Sequence, residues 1–173
     1  MAALGLTRLL VYGWAALCSL CWVLPGCSEA LVADGFERVK INGEAFDLEI
    51  AADDASRLQG LSGRTVVPED GGMIFVFPRS ARRSFVMRDC LVPIDIIFLD
   101  PIGRVVATHA MTIEEPKRED ESAMMYELRL KKYSSRYGAQ YAIELAGGKV
   151  AQLGIKEGDL IELNHEKLKG LAR

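Results

Sequence analysis

Apolar residues are most concentrated in residues 71–108, where short apolar runs alternate with residues that favour turns. The runs are of strand length and cover residues 73–77, 84–87, 94–99 and 105–108. Proline, glycine and aspartate separate them at residues 78–80, 89–93 and 101–103. Because such residues end strands and begin turns, the pattern predicts the centre of a β-sheet, with a turn at residues 78–80.

The sequence before this centre predicts a hairpin and a short helix. Residues 37–51 alternate polar and apolar side chains around Asn42-Gly43, a pair typical of two-residue hairpin turns. Residues 52–61 begin with acidic residues and reach a glycine at position 60, which predicts a helix of about two turns. In that helix, Leu58 and Leu61 are expected to face the sheet.

The sequence after the centre predicts further short elements. Residues 119–132 carry apolar side chains at helical spacing, with acidic residues first and basic residues last, which indicates a surface helix. Residues 140–145 predict a strand, residues 147–154 a short helix that ends at a glycine, and residues 160–163 a closing strand. We therefore predict a mainly β fold, a single compact barrel-like or sandwich sheet with two or three short helices.

The N-terminus has the composition of an export signal. Residues 9–24 are almost wholly apolar and follow Arg8, and the run of about 16 residues is shorter than the roughly 20 needed to span a bilayer. Residues 24–27, Leu-Pro-Gly-Cys, resemble a bacterial lipobox, in which the cysteine is lipidated. We expect a lipoprotein signal peptide at 1–26, lipidation at Cys27 and a tether at 27–35. Ordinary secretion after cleavage and an uncleaved anchor are the alternatives.

All three alternatives place the domain outside the cytoplasm, in the cell envelope. The domain is expected at residues 36–165, with a C-terminal tail at 166–173. The composition, 50% hydrophobic and 26% charged over 173 residues, suits one domain with a core. A net charge of −3 disfavours nucleic-acid binding, because no basic field would hold a phosphate backbone. We expect a monomer attached to the membrane by its lipid.

The domain contains one cysteine, Cys90, so it cannot form an internal disulfide. It has no phosphate-binding loop, dinucleotide fingerprint or nucleophile elbow, and no paired His or Cys spacing for a preformed metal site. We therefore assign no cofactor, no metal and no catalytic residue, and an enzymatic activity is the less favoured expectation.

Strand alternation assigns Asp95 to the interior. In residues 94–99 it shares a face with Ile97 and Leu99, and a buried carboxylate is costly unless it is paired. We expect Asp95 to pair with Arg64 or Arg88. A wider polar and aromatic face then forms a candidate ligand site, composed of Arg64, Phe85, Met87, Arg88, Asp89 and Asp95. The same charges could instead form an internal salt-bridge network.

Three functions remain open at this level. The leading hypothesis is an envelope module that binds a small ligand or a partner protein through this face. If the face has no concavity, the helix at 119–132 becomes the expected docking surface for a partner. A carboxylate-dependent hydrolase of envelope glycans would need Asp89, Asp95 and Glu144 to converge in a cleft. A protein that handles copper would need several soft ligands to converge, from the set Met73, Met87, Cys90, His109, Met111, Met124 and Met125.

An ordered series of motifs resembles the family DUF192, also called UPF0127. The motifs lie at residues 57–61, 72–77, 85–88, 93–100, 144–148 and 154–159, within a match of about residues 38–163. The chain departs from the usual residues at Ser62, Val86 and Cys90. The resemblance implies a compact, mainly β domain that is often exported and has no assigned activity.

Overall fold

The computed structural model describes residues 35–173. The predicted signal peptide, Cys27 and nearly all of the tether lie outside the described residues. Six strands run as β1 (Phe36–Ile41), β2 (Glu44–Ala51), β3 (Gly71–Phe85), β4 (Ile94–Leu99), β5 (Val105–Met111) and β6 (Tyr133–Ala146). Four helices run as α1 (Asp54–Gln59), α2 (Ala123–Arg129), α3 (Lys149–Gln152) and α4 (His165–Leu171).

The strands form one mixed sheet in the order β1-β2-β3-β6-β4-β5. Neighbouring strands are antiparallel except β2 and β3, which are parallel and are connected through α1. The two longest strands, β3 and β6, pair at the centre and extend beyond the others as a two-stranded arm. The prediction of a mainly β fold with short helices is confirmed, and the sheet is open rather than closed into a barrel.

Each face of the sheet carries its own core cluster, because side chains alternate along every strand. On β4, Ile97 and Leu99 belong to the first cluster, whereas Ile96 and Phe98 belong to the second. Helix α4 covers the first cluster, where its Leu168 is fully buried. The loop after α1 contributes Leu61 to the second cluster, which forms the floor of the candidate site.

The predicted hairpin and the start of the first helix are confirmed. Asn42 and Gly43, both at positive φ, connect β1 to β2. Asp53 caps α1 by accepting a hydrogen bond from the Ser56 backbone N–H at 2.9 Å. Leu61 is buried, but the expectation for Leu58 is wrong, since its side chain is 64% exposed.

The predicted turn at residues 78–80 is wrong, because β3 continues through it without a break in the chain direction. Pro78 lies instead where the pairing of β3 with β6 shifts register, between Val76 and Ala81. Proline has no N–H to donate, so a strand accommodates it at such irregular positions. The two predicted strands at 73–77 and 84–87 are therefore mostly parts of a single strand.

Three other predicted elements differ in extent. The helix expected at 119–132 is only Ala123–Arg129, because Ser122 caps its start and Leu130 is already extended. The closing strand at 160–163 is reduced to one bridge between Leu160 and Arg104. Residues 166–173, expected as a tail, form most of α4, whose buried Leu168 makes it part of the domain.

None of the helices within residues 35–173 combines the length and the apolar content needed to cross a membrane.

Candidate functional site

A cavity of about 370 Å³ lies between α1 with its following loop and the arm-forming end of β3; we call it the α1–β3 cavity. Its volume falls in the lower part of the range typical of small-molecule sites. The lining combines aromatic, cationic and small polar side chains: Arg57, Leu58, Gln59, Gly60, Leu61, Ser62, Phe75, Phe77, Arg82, Arg83, Ser84, Phe85, Val86, Arg88, Cys90 and Glu144.

Three phenylalanines of β3 supply the apolar surface of the cavity. Phe75 and Phe85 meet edge to face with ring centroids 4.9 Å apart, and Phe77 and Phe85 do so at 6.4 Å. Phe85 in turn contacts the buried Phe98 of β4 at 5.4 Å. Because edge-to-face contacts fix ring orientation, these rings form a preorganised wall.

Glu144 of β6 is the acidic side chain in the cavity lining. It is only 5% exposed, and its cross-strand neighbours are the buried Met73 and Ile96. Its Oε2 has no hydrogen-bond partner among residues 35–173. Burial raises the pKa of the Glu144 carboxyl to about 8, so the group is mostly protonated and neutral at pH 7. A neutral carboxyl can donate a hydrogen bond into the cavity.

Four arginines line the same cavity, and they differ in their partners. Arg57 forms an ion pair with Asp54 at 2.7 Å and donates to the Val76 carbonyl oxygen at 2.8 Å. Arg88 forms an ion pair with Glu127 of α2 at 3.1 Å. Arg82 and Arg83 make no ion pair with a carboxylate in the described part of the chain.

The Arg83 guanidinium is held against the aromatic wall. Its central carbon lies 3.9 Å from the centroid of the Phe77 ring, within the range of a cation–π contact. Its Nε is buried and has no hydrogen-bond partner among the residues described. Burial, followed by the nearby charges of Arg57 and Arg79, lowers the pKa of Arg83. The cations therefore crowd one side of the cavity.

Ser62 and Cys90 add small polar groups at the loop side of the cavity. The Ser62 hydroxyl donates to the Arg88 carbonyl oxygen at 2.7 Å. Burial, and then proximity to Glu144, raises the pKa of the Cys90 thiol to about 11. The thiol is therefore protonated at neutral pH and lacks the thiolate character that a nucleophilic cysteine needs.

The structure brings only two of the six predicted ligand residues, Phe85 and Arg88, to the cavity. Met87 is 1% exposed and packs in the second core cluster. Asp89, at positive φ, accepts a hydrogen bond from the Tyr126 hydroxyl at 3.1 Å. Arg64 forms a two-pronged ion pair with Glu49 of β2 and is not among the residues that line the cavity.

Asp95 is buried as predicted, at 2% exposure, but the predicted pairing with arginine is wrong. Its Oδ2 accepts a hydrogen bond from the backbone N–H of Val150 at 2.7 Å, at the start of α3. Its cross-strand neighbour Leu145 belongs to the first core cluster. Asp95 thus lies on the face of the sheet opposite the α1–β3 cavity and connects α3 to β4.

Replacing Asp95 by alanine should destabilise the protein by about 2 kcal/mol, because the Val150 N–H would lose its acceptor in the interior. Asp95→Asn keeps an acceptor oxygen and should cost about half as much. Urea unfolding of the two variants measures both values. Equal midpoints for wild type and Asp95→Ala would contradict this role.

The two alternative sites of the sequence analysis are not assembled. Of the three hydrolase carboxylates, only Glu144 lines the α1–β3 cavity, while Asp89 bonds to Tyr126 and Asp95 faces the other core. Within residues 35–173 no cluster of three His, Cys, Asp or Glu side chains suits a metal ion. The soft ligands are divided: Met124 and Met125 are exposed on α2, whereas Met73, Met87, Cys90 and Met111 pack in the second core and His109 bonds to the Ser134 carbonyl.

The sequence analysis did not assign Arg57, Phe75, Phe77 or Arg83 to a site, and it named Glu144 only as a possible hydrolase carboxylate. A signal existed for Glu144, which is the one polar residue in the otherwise apolar run of residues 141–146, as Asp95 is in residues 94–99. For the others no local signal exists, because the cavity forms only where α1 approaches β3.

Two solved structures of bacterial proteins are similar to this one. The structure is similar to that of a protein of unknown function from Novosphingobium aromaticivorans, with 26% identity, a TM-score of 0.62, and coverage of 73% of this chain and 84% of that one. It is also similar to a protein of Sinorhizobium meliloti described as a candidate transcription regulator, with 28% identity, a TM-score of 0.57, and coverage of 74% and 92%.

No protein of curated function matches the chain. The sequence model of DUF192, described as an uncharacterised ACR family, matches residues 37–163. That match contains β1 from its second residue, the other five strands and the first three helices, and it includes every residue that lines the α1–β3 cavity. The chain belongs to the DUF192 family.

Proposed function

We propose that the domain is a non-catalytic binding module of the cell envelope, and that it takes a small ligand in the α1–β3 cavity. The cavity offers a fixed aromatic wall, cationic groups and a few polar groups, which is the usual composition of a small-molecule site. Its volume of about 370 Å³ suits a ligand of modest size.

The observation that carries this proposal is the unpartnered carboxyl of Glu144. Buried polar atoms in folded proteins are nearly always hydrogen-bonded, because an unmade bond costs about 1–3 kcal/mol. Glu144 Oε2 lacks such a bond within the described residues, and the side chain lines the cavity. A ligand that accepts a hydrogen bond from Glu144 would remove this cost.

A hydrolytic function has less support from the same geometry. Acid and base catalysis of glycoside hydrolysis uses two carboxyl groups, about 5–10 Å apart, on either side of the bond that breaks. Glu144 is the single carboxyl among the residues that line the cavity, and the Cys90 thiol is protonated at neutral pH. The lining suits hydrogen bonding and packing better than bond cleavage.

Filling the cavity should abolish ligand binding. Ser84 lines the cavity and is exposed, so Ser84→Trp would place an indole in the cavity without removing a buried group. We expect ligand-observed NMR with a fragment library on the purified full chain to find binders. The same binders should lose at least about tenfold in affinity to the Ser84→Trp variant, as expected when a pocket is occupied.

Lys40→Trp, on an exposed position of β1, is the matched control and should bind as the wild type does. Binders that keep their affinity for Ser84→Trp would place the ligand site elsewhere. A library without any binder would count against small-molecule binding altogether.

A partner protein is the second candidate occupant, and α2 is the surface that favours it. Met124, Met125 and Leu128 are 69%, 55% and 63% exposed on this seven-residue helix. Exposed methionines are common on adaptable protein-binding surfaces. Binders that contact α2 rather than the cavity in the NMR experiment would favour this candidate.

The envelope location is a second part of the proposal and rests on the sequence of residues 1–34. We expect metabolic labelling with a radioactive fatty acid to label the protein in a bacterial host that processes lipoproteins. Cys27→Ala should abolish the label, because the cysteine thiol is the acceptor in the lipobox resemblance, whereas Cys90→Ala should retain it. Label retained by Cys27→Ala would refute lipidation at this position.

A further inference from the structure

We propose that the ligand of the α1–β3 cavity is a small organic anion whose negative group meets Arg82 and Arg83, whose apolar body packs against the phenylalanine wall, and whose oxygen accepts a hydrogen bond from Glu144. This assignment of a ligand class rests on the proposed function. The assignment goes beyond the proposed function because it predicts the charge, the shape and the hydrogen-bonding pattern of the ligand.

The charges of the cavity lining point to an anion. The lining has four arginines and one carboxyl, and that carboxyl is buried without a cationic partner. Two of the arginines are already neutralised, Arg57 by Asp54 and Arg88 by Glu127. Arg82 and Arg83 remain without a carboxylate among residues 35–173, so the site carries uncompensated positive charge on one side.

The surroundings of Arg83 strengthen the same inference. Burial lowers the pKa of Arg83 most, and the like charges of Arg57 and Arg79 lower it further, which means that these cations repel one another. A bound carboxylate or phosphate would convert this repulsion into attraction and could accept two hydrogen bonds from one guanidinium. The contact of Arg83 with Phe77 keeps the guanidinium beside the apolar wall rather than in bulk solvent.

The other two features of the site, the phenylalanine wall and the buried acid, are provided by β3 and β6. Phe75, Phe77 and Phe85 present ring edges and faces to the cavity, which favours a flat or ring-shaped apolar body. Glu144 lies at the buried side, with an unpartnered oxygen, and in its neutral form it donates to a carbonyl, ether or hydroxyl oxygen. A ligand with an acidic group at one end, a flat apolar body and an acceptor oxygen near the other end matches the arginines, the phenylalanine wall and Glu144.

Matched probes test this class on the full chain, purified in a non-ionic detergent, by isothermal titration calorimetry. All three probes carry a 4-methoxy group, whose ether oxygen is the acceptor at the far end. Benzoate and phenyl phosphate add the anion, and benzamide has the same ring and ether oxygen without the charge. We expect both anions to bind at least about tenfold more tightly than benzamide. NaCl at about 0.5 M, roughly three times physiological ionic strength, should reduce this preference because salt screens charges.

Arg83→Gln should remove most of the preference for the anions and leave benzamide binding nearly unchanged. Arg82→Gln, at an exposed position, serves as a second variant if Arg83→Gln fails to fold, and should weaken both anions at least about threefold. Arg118→Gln is the control, because Arg118 is largely exposed and outside the cavity lining.

Any different result of these titrations contradicts the proposed ligand class, and the results can be told apart. Benzamide that binds as tightly as benzoate, and competes with it, would refute the anion class while leaving the proposed ligand site intact. Anions that bind equally to wild type, Arg82→Gln and Arg83→Gln would bind elsewhere on the protein. Failure of all three probes, together with binders in the fragment library that Ser84→Trp blocks, would refute the class alone. Failure of both experiments would refute the proposed function as well.

Discussion

The buried Glu144 carboxyl should make the protein less stable at pH 8 than at pH 4.5 by about 3 to 5 kcal/mol, and Glu144→Gln should abolish this part of the pH dependence. The pKa of Glu144 is raised by burial from 4.5 to about 8. Between these values the unfolded chain is ionised at this position while the folded chain keeps its proton. The unfolded state then binds fewer protons, so stability is complete below about pH 4.5 and is lost as pH rises toward 8.

The upper limit follows from the shift itself, since about 3.5 pKa units at about 1.4 kcal/mol each amount to about 5 kcal/mol. Solvent in the α1–β3 cavity partly hydrates the ionised Glu144, which reduces the loss of stability toward about 3 kcal/mol. Urea unfolding at several pH values measures it as the difference between wild type and Glu144→Gln, which cancels the other titrating groups. Glu162→Gln, at an exposed position, is the control and should follow the wild-type profile. Parallel profiles for wild type and Glu144→Gln would contradict the buried neutral carboxyl.

Gly72→Ala should destabilise the protein by at least about 4 kcal/mol, through a clash at the centre of the sheet. A Cβ added at this position would lie 2.2 Å from the backbone oxygen of Glu144, and its φ of +148° is one that side chains rarely adopt. The obstructing atom is backbone in a paired central strand, so it cannot rotate away. The substitution would push β3 and β6 apart beneath the α1–β3 cavity.

Gly63→Ala isolates the conformational part of this cost. Gly63 also has positive φ, +76°, but an added Cβ there meets no atom within 4 Å. We expect that variant to lose only about 1 kcal/mol, the cost of the left-handed conformation. Urea unfolding compares the two variants, and equal losses would show that β3 and β6 can relax around the extra methyl group.

The sequence predicted the strands well where local rules decide the structure. Alternation placed Asp95 in the interior, and Asn42-Gly43 identified the first hairpin. Turn chemistry misled at Pro78, because a register shift in the arm of β3 and β6 absorbs the proline without a turn. The sequence of β3 alone does not reveal that its partner is β6, which follows about 60 residues later in the chain.

The site was harder to predict because its partners are distant in sequence. Asp95 bonds to Val150 rather than to an arginine, across 55 positions. Arg64 lies in the loop before β3 and Arg88 in the loop after it. Arg64 pairs with Glu49 of β2, whereas Arg88 pairs with Glu127 of α2. Alternation along a strand assigns each side chain to a face of the sheet, but it does not reveal which helix covers that face.

Intermolecular nuclear Overhauser effects between a bound ligand and the protein test the central claim most directly. The tightest binder of the fragment library, mixed with isotope-labelled full chain, provides the sample. We predict contacts from ligand protons to the rings of Phe75, Phe77 and Phe85, all of which line the cavity. Contacts confined to Met124 and Leu128 of the exposed α2 surface would contradict a ligand site in the α1–β3 cavity.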